Sequence, residues 1–134
     1  MSEVIFENKD QKENFYITVN GRSAIYLFLK SLGLERGSKV AVQAFTCNSV
    51  INPIIWCGLE PNYIDINPKT LDMSIDSLKE RVDKDTKVII LQHTFGVNKD
   101  VKRVVKYAKE QNLIVLEDCA HVLGLKYKDR SVGT

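Results

Sequence analysis

Four short segments carry the residue types that do chemistry. In Glu117-Asp118-Cys119-Ala120-His121, two carboxylates, a thiol and an imidazole directly follow the apolar run Leu113-Ile-Val-Leu116. An acid in that place can bind a metal, accept a phosphoryl group, pair with a protonated ligand nitrogen, or cap the next turn. His121 is a candidate ring-oxygen partner or acid/base group, or a partly buried structural histidine. Gln92-His93-Thr94-Phe95-Gly96 follows a second apolar run; a structural role is the better reading of His93, and Gly96 permits a tight turn. In Thr46-Cys47-Asn48-Ser49, a flat ligand could lie against Cys47 or the preceding Phe45. A thiol at a helix N-terminus has a lowered pKa, which favours a nucleophile, but no histidine is near in sequence to act as its base. Asn20-Gly21-Arg22-Ser23-Ala24 opens a helix whose free N–H groups, with Arg22 and Ser23, favour an anion. Neither G-x-G-x-x-G nor G-x-x-x-x-G-K-[ST] occurs.

The elements that must position these segments alternate between two periods. Asn20 is a plausible N-cap for a helix whose face is Ala24, Ile25, Phe28, Leu29 and Leu32, ending at Gly33. Strands are expected near 39–45, 61–66, 87–91 and 113–117. Helices are expected from Asn48 to Cys57, after the Ser74 cap, and from Asp100 to Gln111. Pro53 either kinks the second helix or marks where its register starts. Residues 125–132 read as a short hairpin turning at Lys128-Asp129. Strands that are apolar throughout rather than alternating are covered on both faces. The pattern therefore predicts an α/β, three-layer αβα domain with a mostly parallel sheet and right-handed crossovers. In such folds ligands sit outside the carboxyl ends of the strands, where the four segments fall.

Composition narrows the class. The chain has 134 residues, 44% hydrophobic and 27% charged, enough for one ordinary globular domain. Lys plus Arg is 19 against 17 Asp plus Glu, so a net charge of +2 gives no electrostatic footprint for nucleic acid or an anionic membrane. No apolar stretch approaches the ~20 residues of a membrane span, and the first residues lack a signal-peptide pattern, so a cytoplasmic location is expected. Cys47, Cys57 and Cys119 are odd in number and widely spaced, which argues against disulfides and a zinc site and for three reduced, mostly buried thiols.

Gly21-Arg-Ser-Ala-Ile25, Ala44-Phe-Thr-Cys-Asn-Ser49, Gly58-Leu-Glu-Pro-Asn-Tyr-Ile-Asp-Ile66, Thr86-Lys-Val-Ile-Ile-Leu-Gln-His-Thr-Phe-Gly96, Val115-Leu-Glu-Asp-Cys-Ala-His121 and Gly124-Leu-Lys-Tyr-Lys-Asp-Arg-Ser-Val-Gly133 occur in one order. From about Asn20 to Thr134 the chain resembles the N-terminal part of the DegT/DnrJ/StrS sugar aminotransferases, pyridoxal 5'-phosphate enzymes of fold type I. The resemblance implies residues 1–19 as an N-terminal arm and 20–134 as part of the large, cofactor-binding domain. It makes Asp118 the partner of the pyridine nitrogen, keeping the ring cationic so that it draws electrons. It sets His121 near the ring's phenolic oxygen, and Arg22 and Ser23 at the phosphate. Cys47 falls where many members carry a stacking aromatic, a departure that weakens the face contact.

The resemblance further implies a nucleotide-linked keto-sugar as acceptor, an amino acid such as glutamate as donor, and a homodimer of the full-length protein. It also implies that a serine and the Schiff-base lysine follow Thr134 by a few tens of residues. No lysine of this chain matches that position, since Lys126 and Lys128 belong to the expected hairpin. The expectation is an N-terminal fragment, a split-enzyme half or a truncated remnant, inactive alone. The alternative is an unrelated α/β module such as a phosphoacceptor receiver, which needs its acidic pair at the first strand and its acceptor Asp in mid-chain.

Overall fold

The computed structural model of the chain describes residues 16–96, 100–122, 124–127 and 130–133. Most of the expected leader arm and the hairpin turn at Lys128-Asp129 lie outside the described residues. In chain order the elements are α1 (Gly21–Ser31), β1 (Lys39–Gln43), α2 (Asn48–Trp56), β2 (Glu60–Ile64), α3 (Ile75–Arg81), β3 (Thr86–Gln92), α4 (Val101–Glu110) and β4 (Ile114–Asp118). The small antiparallel pair β5 (Lys126–Tyr127) and β6 (Arg130–Ser131) follows.

The first four strands form one parallel sheet in the order β2-β1-β3-β4. Residue parity divides each apolar run between two cores. Val40, Val42, Val88 and Ile90 pack with Ile25 and Leu29 of α1 and Val50, Ile51 and Ile54 of α2. Ala41, Ile89 and Leu91 pack on the other face with Leu78 of α3 and Val104 and Ala108 of α4. The expected αβα layering is thus observed, and its parity depends on one irregularity. Lys39 faces Thr86, but Val40 faces Val88, so Lys87 is an extra residue on β3. The shift leaves Lys87 exposed, its ammonium donating to the Lys84 carbonyl at 2.6 Å, instead of setting a charge against Val40.

Local chemistry sets the helix ends. The Asn20 side chain accepts from the Ser23 N–H at 2.9 Å, and Ser74 caps α3 through the Ser77 N–H at 3.3 Å. Gly33 and Gly58, at φ +60° and +76°, turn the chain out of α1 and α2 in a conformation L side chains disfavour. Pro53 lies within α2, buried, rather than at its start.

Two sequence expectations change. β1 stops at Gln43, because only Ala44 still bonds the neighbouring strand, through Ile64 O at 2.8 Å, before the chain bends toward α2. Phe45 is therefore 54% exposed rather than a buried strand residue. β4 is half-buried, with Ile114 at 39% exposure, because it lies on the sheet's edge among the described residues.

Ile90 sits in β3, one of the two inner strands, with no exposed surface. Ile90→Ala should lower the free energy of unfolding by about 2–5 kcal/mol in urea denaturation. A loss under about 0.5 kcal/mol would mean that the two-faced core is not formed.

Candidate functional site

The sheet's connectivity opens a crevice. From β1 the chain moves outward to β2, and from β3 it moves outward the other way to β4. Loops leaving the carboxyl ends of β1 and β3 diverge, and ligands of open α/β sheets bind at such a switch point. A cavity of about 850 Å³ lies there. It is lined by the start of α1, the β1–α2 turn from Phe45 to Cys47 with Ser49 and Val50 of α2, Gln92 to Phe95 at the end of β3, and Leu116 to His121 at the end of β4.

The cavity brings together four of the five residues that the sequence singles out: Arg22, Cys47, Asp118 and His121. Ser23 is not among its lining residues. Its N–H and its hydroxyl both donate to the Asn20 carbonyl oxygen of the side chain, at 2.9 and 3.1 Å. The open N–H groups at this helix end are then those of the first turn facing the cavity, Gly21 and Arg22, with no acidic residue in that turn.

Asp118 is held by neutral donors. Its Oδ1 accepts from the Ala120 N–H at 3.1 Å and its Oδ2 from the Gln92 side-chain amide at 3.3 Å. His121 Nδ1 lies 2.5 Å from the Thr94 carbonyl. A carbonyl only accepts, so Nδ1 carries a proton and Nε2 is the atom left for a ligand. His93 is 2% exposed and its Nε2 lies 2.7 Å from Glu117 Oε1, which fits the structural role read from sequence, although it also lines the cavity. Phe45 and Phe95 sit at the exposed rim with ring centroids 5.9 Å apart.

The three thiols differ. All are free, but Cys47 is exposed, and Cys57 and Cys119 are only half-buried, so the expectation of mostly buried thiols fails. Hydrogen bonds from the Ser49 side chain, then from the N–H groups that open α2, lower the Cys47 pKa. Burial, then the charges of Glu117 and Asp118, push Cys119 up to about 11. Ligand-type atoms of His93, Glu117 and Cys119 come within 4.8 Å of one another. There the histidine and the carboxylate bond each other, and the thiol keeps its proton.

Gln92, Thr94 and Phe95 are the site residues that sequence reasoning left without a role. They stand out only once their neighbours in space are known: Gln92 opposite Asp118, Thr94 against His121 and Phe95 beside Phe45.

The sequence pattern of the DegT/DnrJ/EryC1/StrS aminotransferase family matches residues 6–134. The chain belongs to that family. The match begins upstream of Asn20, where the resemblance first becomes legible. The chain is 37% identical to GDP-perosamine synthase of Escherichia coli O157:H7 over 133 residues, 96% of this chain and 36% of that protein. It therefore spans about a third of the length of that relative. Among solved structures it resembles NtdA from Bacillus subtilis with bound cofactor PMP, at TM-score 0.75 and 32% identity, over 79% of this chain and 24% of that one. It also resembles the E. coli GDP-4-keto-6-deoxy-D-mannose-3-dehydratase with bound hydrated PLP, at TM-score 0.77 and 28% identity, over 85% of this chain and 31% of that one. No helix among the described residues is long and apolar enough to cross a membrane.

At pH 8, Cys119 is thiolate in roughly one molecule in a thousand, given its pKa of about 11. Cys47 should therefore alkylate with iodoacetamide about tenfold faster or more, and Ser49→Ala should slow it. Peptide mapping of a time course decides; equal rates would contradict the described thiol environments.

Proposed function

We propose that this chain forms part of the pyridoxal-phosphate site of an aminotransferase acting on a nucleotide-linked keto-sugar. The observation that carries this reading is one cavity shared by an acid-free helix N-terminus and a fixed carboxylate, in a chain of this family. The cofactor is a flat ring with an anion at one edge and a basic nitrogen at another, so it needs both features at once.

The residues suit that group. The first N–H groups of α1, with Arg22, would hold the phosphate. Asp118 would face the ring nitrogen, its carboxylate kept in place by the Ala120 N–H and the Gln92 amide. His121, pinned through Nδ1, would turn Nε2 toward the ring's phenolic oxygen. Cys47 would touch one face of the ring. Ser23 would act by bonding Asn20 and holding the cap, rather than by touching the phosphate. When bound, the cofactor supplies an electron-withdrawing ring and a carbonyl carbon through which an amino group passes from donor to acceptor.

The name GDP-perosamine synthase supports a nucleotide-linked keto-sugar as acceptor, and the family supports an amino-acid donor such as glutamate. We take the whole protein to be a homodimer with residues 20–134 as part of its large domain. A second reading is supported by the similarity to a GDP-4-keto-6-deoxy-D-mannose-3-dehydratase, which is dehydration of a substrate of the same class. Among the described residues no lysine lines the cavity. The chain alone should then hold the cofactor reversibly and leave glutamate unreacted.

The test is titration with pyridoxamine phosphate, which needs no covalent link. Wild type should bind, and Asp118→Ala should weaken binding about tenfold or more by removing a charge-assisted contact. Reduction of the pyridoxal-phosphate mixture with borohydride should leave no single lysine labelled stoichiometrically. Such a label, with amino transfer from glutamate, would overturn the claim that the chain alone is inactive; absence of binding would overturn the cofactor site itself.

A further inference from the structure

Gln92 is the last residue of β3 and pairs in register with Asp118, the last residue of β4. It is 8% exposed, and its side-chain amide donates to Asp118 Oδ2 at 3.3 Å. A carboxylate can only accept here, so the amide nitrogen must face it, and this fixes which way the amide is turned. The consequence falls on the other atom. Gln92 Oε1 is buried and finds no hydrogen-bond partner among the described residues.

A buried polar side chain kept for folding alone would have both ends of its amide satisfied. Here one end is satisfied by a single neighbour and the other is left at a cost, in a strand whose preceding residues, Val88 to Leu91, are all buried and apolar. An apolar side chain would fill the same place without the orphaned acceptor. The backbone does not need the amide either, since the His93 N–H already ties the ends of the two strands together through Asp118 O at 3.1 Å.

We propose that Gln92 is a positioning residue for Asp118: its amide fixes the rotation of the carboxylate so that the remaining lone pairs meet the protonated ring nitrogen of the cofactor. The inference rests on the cofactor reading above. With the Ala120 N–H on Oδ1 and the Gln92 amide on Oδ2, both oxygens are anchored, and the carboxylate enters the cavity already oriented. Both donors are neutral, so they orient the anion without cancelling the charge that the ring nitrogen needs.

Two measurements on the 134-residue chain separate this from a structural role and from the cofactor reading. The first needs no ligand. In side-chain amide NMR spectra, one Gln92 proton should be shifted downfield and exchange slowly, and Asp118→Ala should abolish both features. Ordinary, solvent-like amide signals in the wild type would overturn the contact. The second compares Gln92→Leu with wild type. Its thermal midpoint should be equal or higher, because the unpartnered oxygen is gone, while its affinity for pyridoxamine phosphate falls about five- to tenfold. A lower midpoint with unchanged affinity would make Gln92 structural and overturn the proposal. If the wild type shows the amide signature but does not bind pyridoxamine phosphate, the cofactor reading falls and the positioning role falls with it, while the contact stands.

Discussion

The site depends on the pairing of β1 with β3, two strands far apart in sequence. That pairing puts a topological reversal between them, so the loops after Gln43 and after Gln92 part and leave a crevice. Its register is set by a charge that must stay out of the core. With Lys87 looped past the ladder, Val88 and Ile90 join Val40 and Val42 on one face, and Ile89 and Leu91 join Ala41 on the other. A slip of one residue would exchange the two faces of β3. It would also move Gln92 away from Asp118, so core packing and site geometry are fixed by the same constraint.

Around the crevice, backbone groups do much of the work of holding side chains. The Thr94 carbonyl orients His121, the Ala120 N–H holds Asp118, and the N–H groups opening α2 add to the Ser49 side chain in lowering the Cys47 pKa. The site is electrostatically divided. The start of α1 offers positive potential without an acid in its first turn, and the end of β4 carries two adjacent carboxylates, one of them bonded to buried His93. A ligand with an anion and a cationic nitrogen matches that division. The unpartnered Gln92 oxygen fits the common pattern in which local stability is given up at a functional site, by about 1–3 kcal/mol for an unmet buried acceptor.

Much of this architecture is legible in the sequence, for a physical reason. Apolar runs such as Val88–Leu91, separated by helical patterns with caps at Asn20 and Ser74, have few other ways to be buried than as a parallel sheet between helices. The site segments are legible because parallel strands direct all their following loops to one end. Tertiary bonding is less legible. Ser23 reads as an anion donor from its place at a helix start, but its choice of Asn20 as partner depends on the cap's rotamer. Phe45 reads as strand because nothing local announces that the ladder ends at Ala44. Gln92 gives no signal until strand register is known, since its partner lies 26 residues away.

In the proposed site, Asp118 keeps a cofactor ring nitrogen protonated. The most direct measurement is the ¹⁵N chemical shift of the ring nitrogen of labelled pyridoxamine phosphate bound to the chain, followed from neutral to alkaline pH. In wild type the shift should remain of the protonated type to higher pH than for the free compound, and this should be lost in Asp118→Asn. A bound ring nitrogen that titrates as it does in free solution, or that is indifferent to Asp118→Asn, would contradict it.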